Sequence, residues 1–136
     1  MYETEKWIVY EDEDFNEDVI KLVEMLKEDK NQLCLFPRFD GIYGISMGAD
    51  VLVAYLHYRL KLPALKAPTK NSLLVDDIID TGDTMSHYAK KGYFIISLFC
   101  NPRKSIVKPN IWLHEKTDKW IHFMWEGPED GDDRLA

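Results

Sequence analysis

The segment Leu73–Thr84 reads LLVDDIIDTGDT. It predicts an apolar strand, Leu73–Val75, that ends in two adjacent carboxylates, Asp76 and Asp77, before a Thr-Gly-x-Thr turn opens a helix. This pattern suits phosphate binding. Gly82 lets backbone N–H groups approach an anion closely, the helix N-terminus offers further N–H groups, and Thr81 and Thr84 add hydroxyl donors. Two carboxylates beside such a site suit sugar hydroxyls, which donate hydrogen bonds, or a hydrated Mg²⁺. The plainer reading is a turn at Asp76–Asp77 with Thr81 or Thr84 as an N-cap. Thr, Gly and Thr falling behind two acids favours the phosphate site.

Other arrangements carry less. His57, His87, His114 and His122 show no metal-binding spacing and read as surface or satisfied core residues. Gly44–Gly48 fits G-x-S-x-G formally, but a hydrolase of that type needs an acid and a histidine downstream in a much longer sheet. A strand ending in Asp-Asp also occurs in receiver-like domains. Those place the acid pair near their N-terminus and have no use for Thr-Gly-x-Thr.

The elements that must position these residues alternate. Phe15, Val19, Leu22, Val23 and Leu26 recur at helical spacing and predict an amphipathic helix over Asn16–Asp29. Leu33–Phe36 is a short apolar stretch stopped by Pro37, and Gly41–Ile45 reads as a buried strand. The turn Ser46–Met47–Gly48 leads into a helix over Ala49–Lys61, closed by Pro63. Ala64–Ala67 is a candidate short strand, Asp83–Lys91 a helix stopped at Gly92, and Tyr93–Phe99 a buried strand. Ile111–Leu113 and Trp120–Met124 are weaker strand candidates. Strands alternating with helices predict an α/β fold with a mostly parallel sheet, whose ligands sit beyond the carboxyl ends of the strands.

Composition bounds the function. The 136 residues make one domain, with 46% hydrophobic and 30% charged residues, as in ordinary globular chains. A net charge of −7 argues against a general nucleic-acid or membrane-surface binder. Acids crowd Glu11–Asp18 and Glu126–Asp133, both expected to be solvated surface, while the body between them is mildly basic. No apolar run approaches the roughly 20 residues that cross a bilayer. Met1–Lys6 has no secretory h-region, and Cys34 and Cys100 read as buried thiols, so the expected location is cytoplasmic.

Leu73–Thr84 resembles the 5-phosphoribosyl-1-pyrophosphate (PRPP) signature of the type I phosphoribosyltransferases: an apolar strand, two acids and a Thr-Gly-x-Thr loop. The resemblance extends over roughly Lys6–Glu126. It implies that fold, a mostly parallel sheet flanked by helices with a small hood from the chain ends, the hood segment and acidic tail being 119–136 of a single domain over 1–136. It also implies that Asp76 and Asp77 hold the ribose hydroxyls, partly through Mg²⁺, and that Asp80, Thr81, Gly82, Asp83 and Thr84 wrap the 5′-phosphate. DDIIDTG is similar to the loop of the 6-oxopurine salvage members, which implies that Asp80 lies near N7 of the base and accepts the purine proton. A carboxylate there is suited to that work. A purely structural Asp80 is the alternative. Lys119–Glu126, KWIHFMWE, resembles the C-terminal segment of purine-type members, which implies that Trp120 stacks on the base and Ile121 supplies backbone contacts. The plainer reading makes Trp120, Phe123 and Trp125 core residues. The implied activity joins PRPP and a purine base with release of pyrophosphate, the implied cofactor is Mg²⁺, and the implied assembly is a homodimer.

This sequence departs from the family pattern where catalysis would be touched. The pyrophosphate loop is Ser46, Met47 and Gly48, followed by Ala49, so the usual cation and second glycine are missing. A short turn, Ala67–Ser72, stands where a long mobile lid is usual, with Lys66 and Lys70 as partial substitutes. Asn101 precedes Pro102 where purine enzymes usually have a lysine on the 6-oxo group, leaving Arg103 or Lys104 to reach in. Asp83 inside the phosphate loop is expected to face solvent. These departures favour slow turnover, or the second reading: a PRPP- or nucleotide-binding regulatory protein of the same fold.

Overall fold

The structure, a computed structural model, describes residues 1–27 and 39–127. The apolar stretch Leu33–Phe36, Cys34 and the acidic tail after Gly127 lie outside them. The element order is β1 (Tyr2–Glu3), β2 (Trp7–Tyr10), α1 (Asp12–Lys27), β3 (Gly41–Gly44), a 3-10 turn (Met47–Ala49), α2 (Asp50–Leu60), β4 (Ser72–Ile79), α3 (Asp83–Lys90), β5 (Phe94–Cys100), β6 (Ile111–Glu115) and β7 (Trp120–Phe123). No helix among the described residues is long and apolar enough to cross a membrane.

Helix α1 starts four residues before the expected Asn16. The Asp14 carboxylate accepts the Glu11 N–H at 2.9 Å, as the third residue of a capping box does. The acids Asp12, Glu13 and Asp14 sit in the first turn, where the helix dipole favours them. The apolar period starts only at Phe15 and is blind to that polar turn.

The main sheet runs β3-β4-β5-β6, all parallel. Ala64–Ala67 is not a strand. It contributes one bridge, Ala64 to Ile42, on the edge of β3 opposite β4. Pro63 and Pro68 flank it, and prolines cannot donate to a ladder. That contact still decides the architecture, because α2 returns the chain to the outer edge of β3 whereas α3 advances it to β5. The two helices therefore cover opposite faces. Leu52 and Leu56 of α2 pack with Leu73, Val75 and Ile96, while Met85 of α3 packs with Leu74 and Ile95. The winding reverses at β3, so the crevice for a ligand lies beyond the ends of β3 and β4.

Strand β4 does not stop at Asp76–Asp77, as its apolar run suggests. It continues to Ile79, because β5 stays paired with it as far as Ile79 opposite Cys100. β3 ends earlier, with Gly44 opposite Val75. Beyond that point the Asp76 carboxylate accepts the Asp77 N–H at 2.9 Å and the Asp77 carboxylate accepts the Ile78 N–H at 2.8 Å.

The chain ends form a separate small sheet, β1-β2-β7, in which β2 and β7 are parallel. Strands β1 and β2 are too short to show a period, and the sequence does not announce them. Asp18 fastens this hood to the body. Buried on α1, it accepts Tyr10 Oη–H from β2 at 2.6 Å and lies 2.6 Å from His114 Nε2 on β6. Tyr10 is fully buried among Phe15, Phe99 and Phe123, with ring centroids 5.4 Å from the last two.

Replacing Asp18 by Ala should leave the buried Tyr10 hydroxyl without its acceptor, at a cost of about 1–3 kcal/mol, and should also remove the partner of half-buried His114. Asp18→Asn, which keeps an acceptor, should cost less. Urea unfolding followed by tryptophan fluorescence measures both. Equal midpoints for the parent and Asp18→Ala would show that the hood is fastened elsewhere.

Candidate functional site

Four consecutive strand ends build the crevice: the Ser46–Gly48 turn after β3, the acids and the Thr81–Thr84 loop on β4, Asn101 after β5 and Lys116 after β6. The loop on β4 depends on Gly82. Its φ of +79° lies in the left-handed region that favours glycine. A Cβ there would come within 2.6 Å of Ser105 Oγ and 3.2 Å of Ile106 N. The segment Ser105–Val107 thus backs the loop, and Ile106 N–H donates to the Thr81 carbonyl at 2.9 Å. Thr81 Oγ1 accepts the Asp83 N–H at 3.3 Å, and Gly82 provides no side-chain cap for α3. Thr81 and Thr84 are exposed and line an open cleft together with Asp76, Asp80 and Gly82. Asp83 is exposed, as expected, yet also sits on the cleft's rim.

The acid pair and the Ser46–Gly48 turn form one unit. Ser46 Oγ–H donates to Asp76 Oδ1 at 2.8 Å. The Asp77 carboxylate lies against Gly48 so closely that a Cβ at Gly48 would collide with its Oδ2. Asp76 is buried, and burial together with the neighbouring Asp77 carboxylate pushes its carboxyl up to about 7, against the pull of the Ser46 hydroxyl. Among the described residues no group of three or more His, Cys, Asp or Glu could hold a metal ion. Two crowded carboxylates fit a cation that keeps waters and ligand oxygens in its shell, which is the habit of Mg²⁺. Met47 is 88% exposed and brings no charge to this turn. Lys66 lines a groove with Ser46 and Met47. Lys70 adjoins the Thr69–Ser72 turn, where Thr69 Oγ1–H donates to Asp40 at 3.1 Å, at the opposite end of β3 from the crevice.

At the other side of Asp80 the structure adds a residue that the sequence reading missed. Ile79 pairs with Cys100 and Cys100 with Glu115. The residues that follow, Asp80, Asn101 and Lys116, therefore form a row across three strand ends. Asn101 Nδ2–H donates to Asp80 Oδ1 at 3.0 Å, and Lys116 Nζ lies 3.8 Å from the same oxygen. Both Asn101 and Lys116 are buried. They line a second cleft, with Arg103 and Lys104 exposed on its rim. Lys116 follows a weakly predicted strand, and only the register reveals it.

The hood residues divide. Phe123 is fully buried and stacks on Trp125 with centroids 4.5 Å apart, so both are packing residues, as the plainer reading has it. Trp120 is 74% exposed, pairs through its backbone with Trp7, and lines neither cleft. Ile121 is buried opposite Ile8. The structure thus brings Asp76, Asp77, Asp80, Ser46, Gly48, Asn101 and the Thr81–Thr84 loop together, and leaves Trp120 and Ile121 on the hood. His87 is exposed, His57 Nδ1 lies 2.6 Å from the Leu62 carbonyl, and His122 Nε2 lies 3.0 Å from the Gly127 carbonyl.

A parallel sheet wound in two directions, a crevice at the reversal and a hood from both chain ends define the type I phosphoribosyltransferase fold. Solved structures with this architecture are similar to the chain over nearly its whole length. Xanthine-guanine-hypoxanthine phosphoribosyltransferase of Helicobacter pylori has a TM-score of 0.71 at 21% identity, covering 88% of this chain and 93% of that one. Purine phosphoribosyltransferase of Pyrococcus horikoshii gives 0.70 at 21% identity over 91% and 96%. A hypothetical protein of Neisseria gonorrhoeae with bound ppGpp gives 0.68 at 17% identity over 99% and 98%. No protein-family model and no curated protein matches the sequence.

The raised carboxyl of Asp76 has a consequence for stability. Between its ordinary value of 3.8 and about 7, the folded protein keeps a proton that the unfolded chain releases. Stability contributed by this group therefore falls as pH rises through that window. Urea midpoints measured from pH 4 to 8 should show a downward trend in the parent that is flatter in Asp76→Asn. Identical slopes would mean that Asp76 titrates normally.

Proposed function

We propose that the protein is a phosphoribosyltransferase that moves the 5-phosphoribosyl group of PRPP to a nucleobase, a 6-oxopurine by class, and releases pyrophosphate. The observation that carries the reading is the sequence of groups along β4: buried Asp76 beside half-buried Asp77, then Asp80, then the Gly82 loop opening α3, all at the reversal of the sheet. In this reading Thr81, Gly82 and Thr84 hold the 5′-phosphate, and Asp76 and Asp77 hold the ribose hydroxyls. The same two acids would hold Mg²⁺, which when bound offsets the charge of the pyrophosphate. The bond from the ribose carbon to pyrophosphate breaks, the bond to a ring nitrogen forms, and Asp80 accepts the proton that nitrogen gives up. Ser46–Gly48 meets the pyrophosphate through backbone N–H groups, without a charged side chain. Losing one preorganised donor of that kind typically lowers turnover on the order of 10²–10³-fold.

That deficit sustains a second reading, a PRPP- or nucleotide-binding regulatory protein without efficient turnover. Its support is the exposed, uncharged Met47 together with a β3–β4 connection fastened away from the crevice. The ppGpp-bound neighbour of the same fold is in keeping with it.

An assay with PRPP, Mg²⁺ and each common base, following nucleotide and pyrophosphate together, separates the two. Slow, stoichiometric formation of both is expected for the enzyme. Asp80→Asn should lower turnover by about 10²–10⁴, the usual contribution of a positioned proton acceptor, with PRPP binding kept. Gly82→Val should weaken ribose 5-phosphate binding by closing the backbone approach. Nucleotide binding with no base consumed would select the regulatory reading. Unchanged ribose 5-phosphate affinity in Gly82→Val would remove the phosphate assignment.

A further inference from the structure

Asn101, buried after β5, is engaged at both ends of its side chain within the protein. Its Nδ2–H donates to Asp80 Oδ1 at 3.0 Å, and its Oδ1 accepts the Arg103 N–H at 3.2 Å. These partners fix the orientation of the amide, since a carboxylate accepts and a backbone N–H donates. A lysine at this place would bring donors alone, and an aspartate acceptors alone. The backbone of Asn101 is held as well. Its N–H donates to the Ile79 carbonyl at 2.8 Å, and its carbonyl accepts the Lys104 and Ser105 N–H groups at 3.2 and 2.8 Å. Residues 101–105 thus close one tight turn, which the bond from Arg103 N–H to the side chain braces in the manner of an Asx turn.

That turn leads to the back of the phosphate loop. Ser105 Oγ–H donates to the Val107 carbonyl, and Ser105 Oγ accepts the Val107 N–H at 3.3 Å. Held this way, Ser105 abuts Gly82, where a Cβ would come within 2.6 Å of its Oγ, and Ile106 N–H donates to the Thr81 carbonyl at 2.9 Å. Asp80 and Thr81 are neighbours on the chain. The path from Asp80 through the Asn101 amide, the turn and Ile106 back to Thr81 is therefore a closed ring.

We infer that Asn101 is a positioning residue, its amide joining the Asp80 carboxylate to the turn that backs the phosphate loop. The acceptor for the base proton and the donors for the 5′-phosphate are then held as one piece. This rests on the phosphoribosyl-transfer reading above and gives Asn101 a task other than contact with the base. Removing the amide frees both of its ends. Asp80 Oδ1 is left with Lys116 Nζ at 3.8 Å, beyond hydrogen-bond reach, and the Arg103 N–H loses its acceptor. The two ends act on different parts of the ligand. A displaced Asp80 disturbs proton transfer, whereas a loosened turn disturbs the loop around Gly82 and the phosphate it binds.

The test compares the parent with Asn101→Ala and Asn101→Ser in two measurements: calorimetric binding of ribose 5-phosphate, and kcat with PRPP, Mg²⁺ and the base that the parent consumes. Ribose 5-phosphate carries no base, so a residue that only touched the base would leave its affinity unchanged. Asn101→Ala should weaken it about two- to tenfold, the span of one neutral hydrogen bond. Serine forms the equivalent turn through its hydroxyl oxygen, so Asn101→Ser should restore the affinity to within about twofold of the parent. That oxygen ends one bond short of the atom that meets Asp80, so kcat should fall in both variants, by about 10- to 100-fold, as for a misplaced reacting group. A general loss of packing would move both measurements together in both variants. Should Asn101→Ala fail to fold, Ser105→Ala releases the same turn from its far end and should weaken ribose 5-phosphate binding by a similar factor. Unchanged ribose 5-phosphate affinity in the alanine variant overturns the inference, as does an affinity that serine fails to restore. A parental kcat in Asn101→Ser overturns it too. If the parent binds ribose 5-phosphate but consumes no base, the calorimetric pattern alone decides. A parent that does not bind ribose 5-phosphate overturns the phosphoribosyl reading and this inference with it.

Discussion

The parallel register that sets Ile79 beside Cys100, and Cys100 beside Glu115, places Asp80, Asn101 and Lys116 in one row at the end of the sheet. Three strands end at one level, so each presents its next side chain in the same row. A slip of one residue in either pairing would turn the side chains to the opposite face and dissolve the row. The apolar faces forbid that slip. Leu73, Val75 and Ile96 belong to the core under α2, and Leu74 and Ile95 to the core under α3. Burial on both faces of the sheet therefore fixes the chemistry at its end.

The electrostatics follow a gradient along that end. On the β3 side two acids crowd a turn without a cation, and Asp76 responds by holding its proton more tightly. On the β6 side the single carboxylate Asp80 is met by an amide and an ammonium. Asp76 and Asp80 lie four residues apart on one chain, yet one carboxylate lacks a cationic partner and the other has one. Burial raises the energy of an unpaired charge, whereas an adjacent ammonium lowers it. The first environment suits binding of a cation or of sugar hydroxyls, and the second holds a carboxylate as a fixed acceptor.

Much of this is legible in the sequence. The fold class, α2, α3 and β5 all announce themselves, because period and punctuation agree in those segments, whereas of β4 only the apolar start does. The place of the central loop was legible for a different reason: Thr81, Gly82 and Thr84 at that spacing open a helix beyond a strand end, and the three line the cleft there. What escaped the sequence depends on distance along the chain. Asp18 meets His114 across 96 positions, and Lys116 meets Asp80 only through two successive strand pairings. The first turn of α1 was missed because a polar cap has no apolar period. Trp120 shows the opposite limit. Its neighbours Phe123 and Trp125 are packing residues, but its own indole lies in solvent, and aromatic spacing alone does not separate the two cases.

The Thr69–Ser72 turn has a consequence for timing. It is locked by its own hydrogen bonds, Thr69 N–H to Ser72 Oγ at 2.6 Å and Ser72 Oγ–H to the Thr69 carbonyl at 3.0 Å, and tied to Asp40 besides. A segment held this way contributes no cover that must close before a complex forms or open before it dissociates. That segment therefore adds no conformational step of its own to association at the crevice. On either proposed reading, this connection adds nothing to the time that occupancy of the crevice takes to follow ligand concentration.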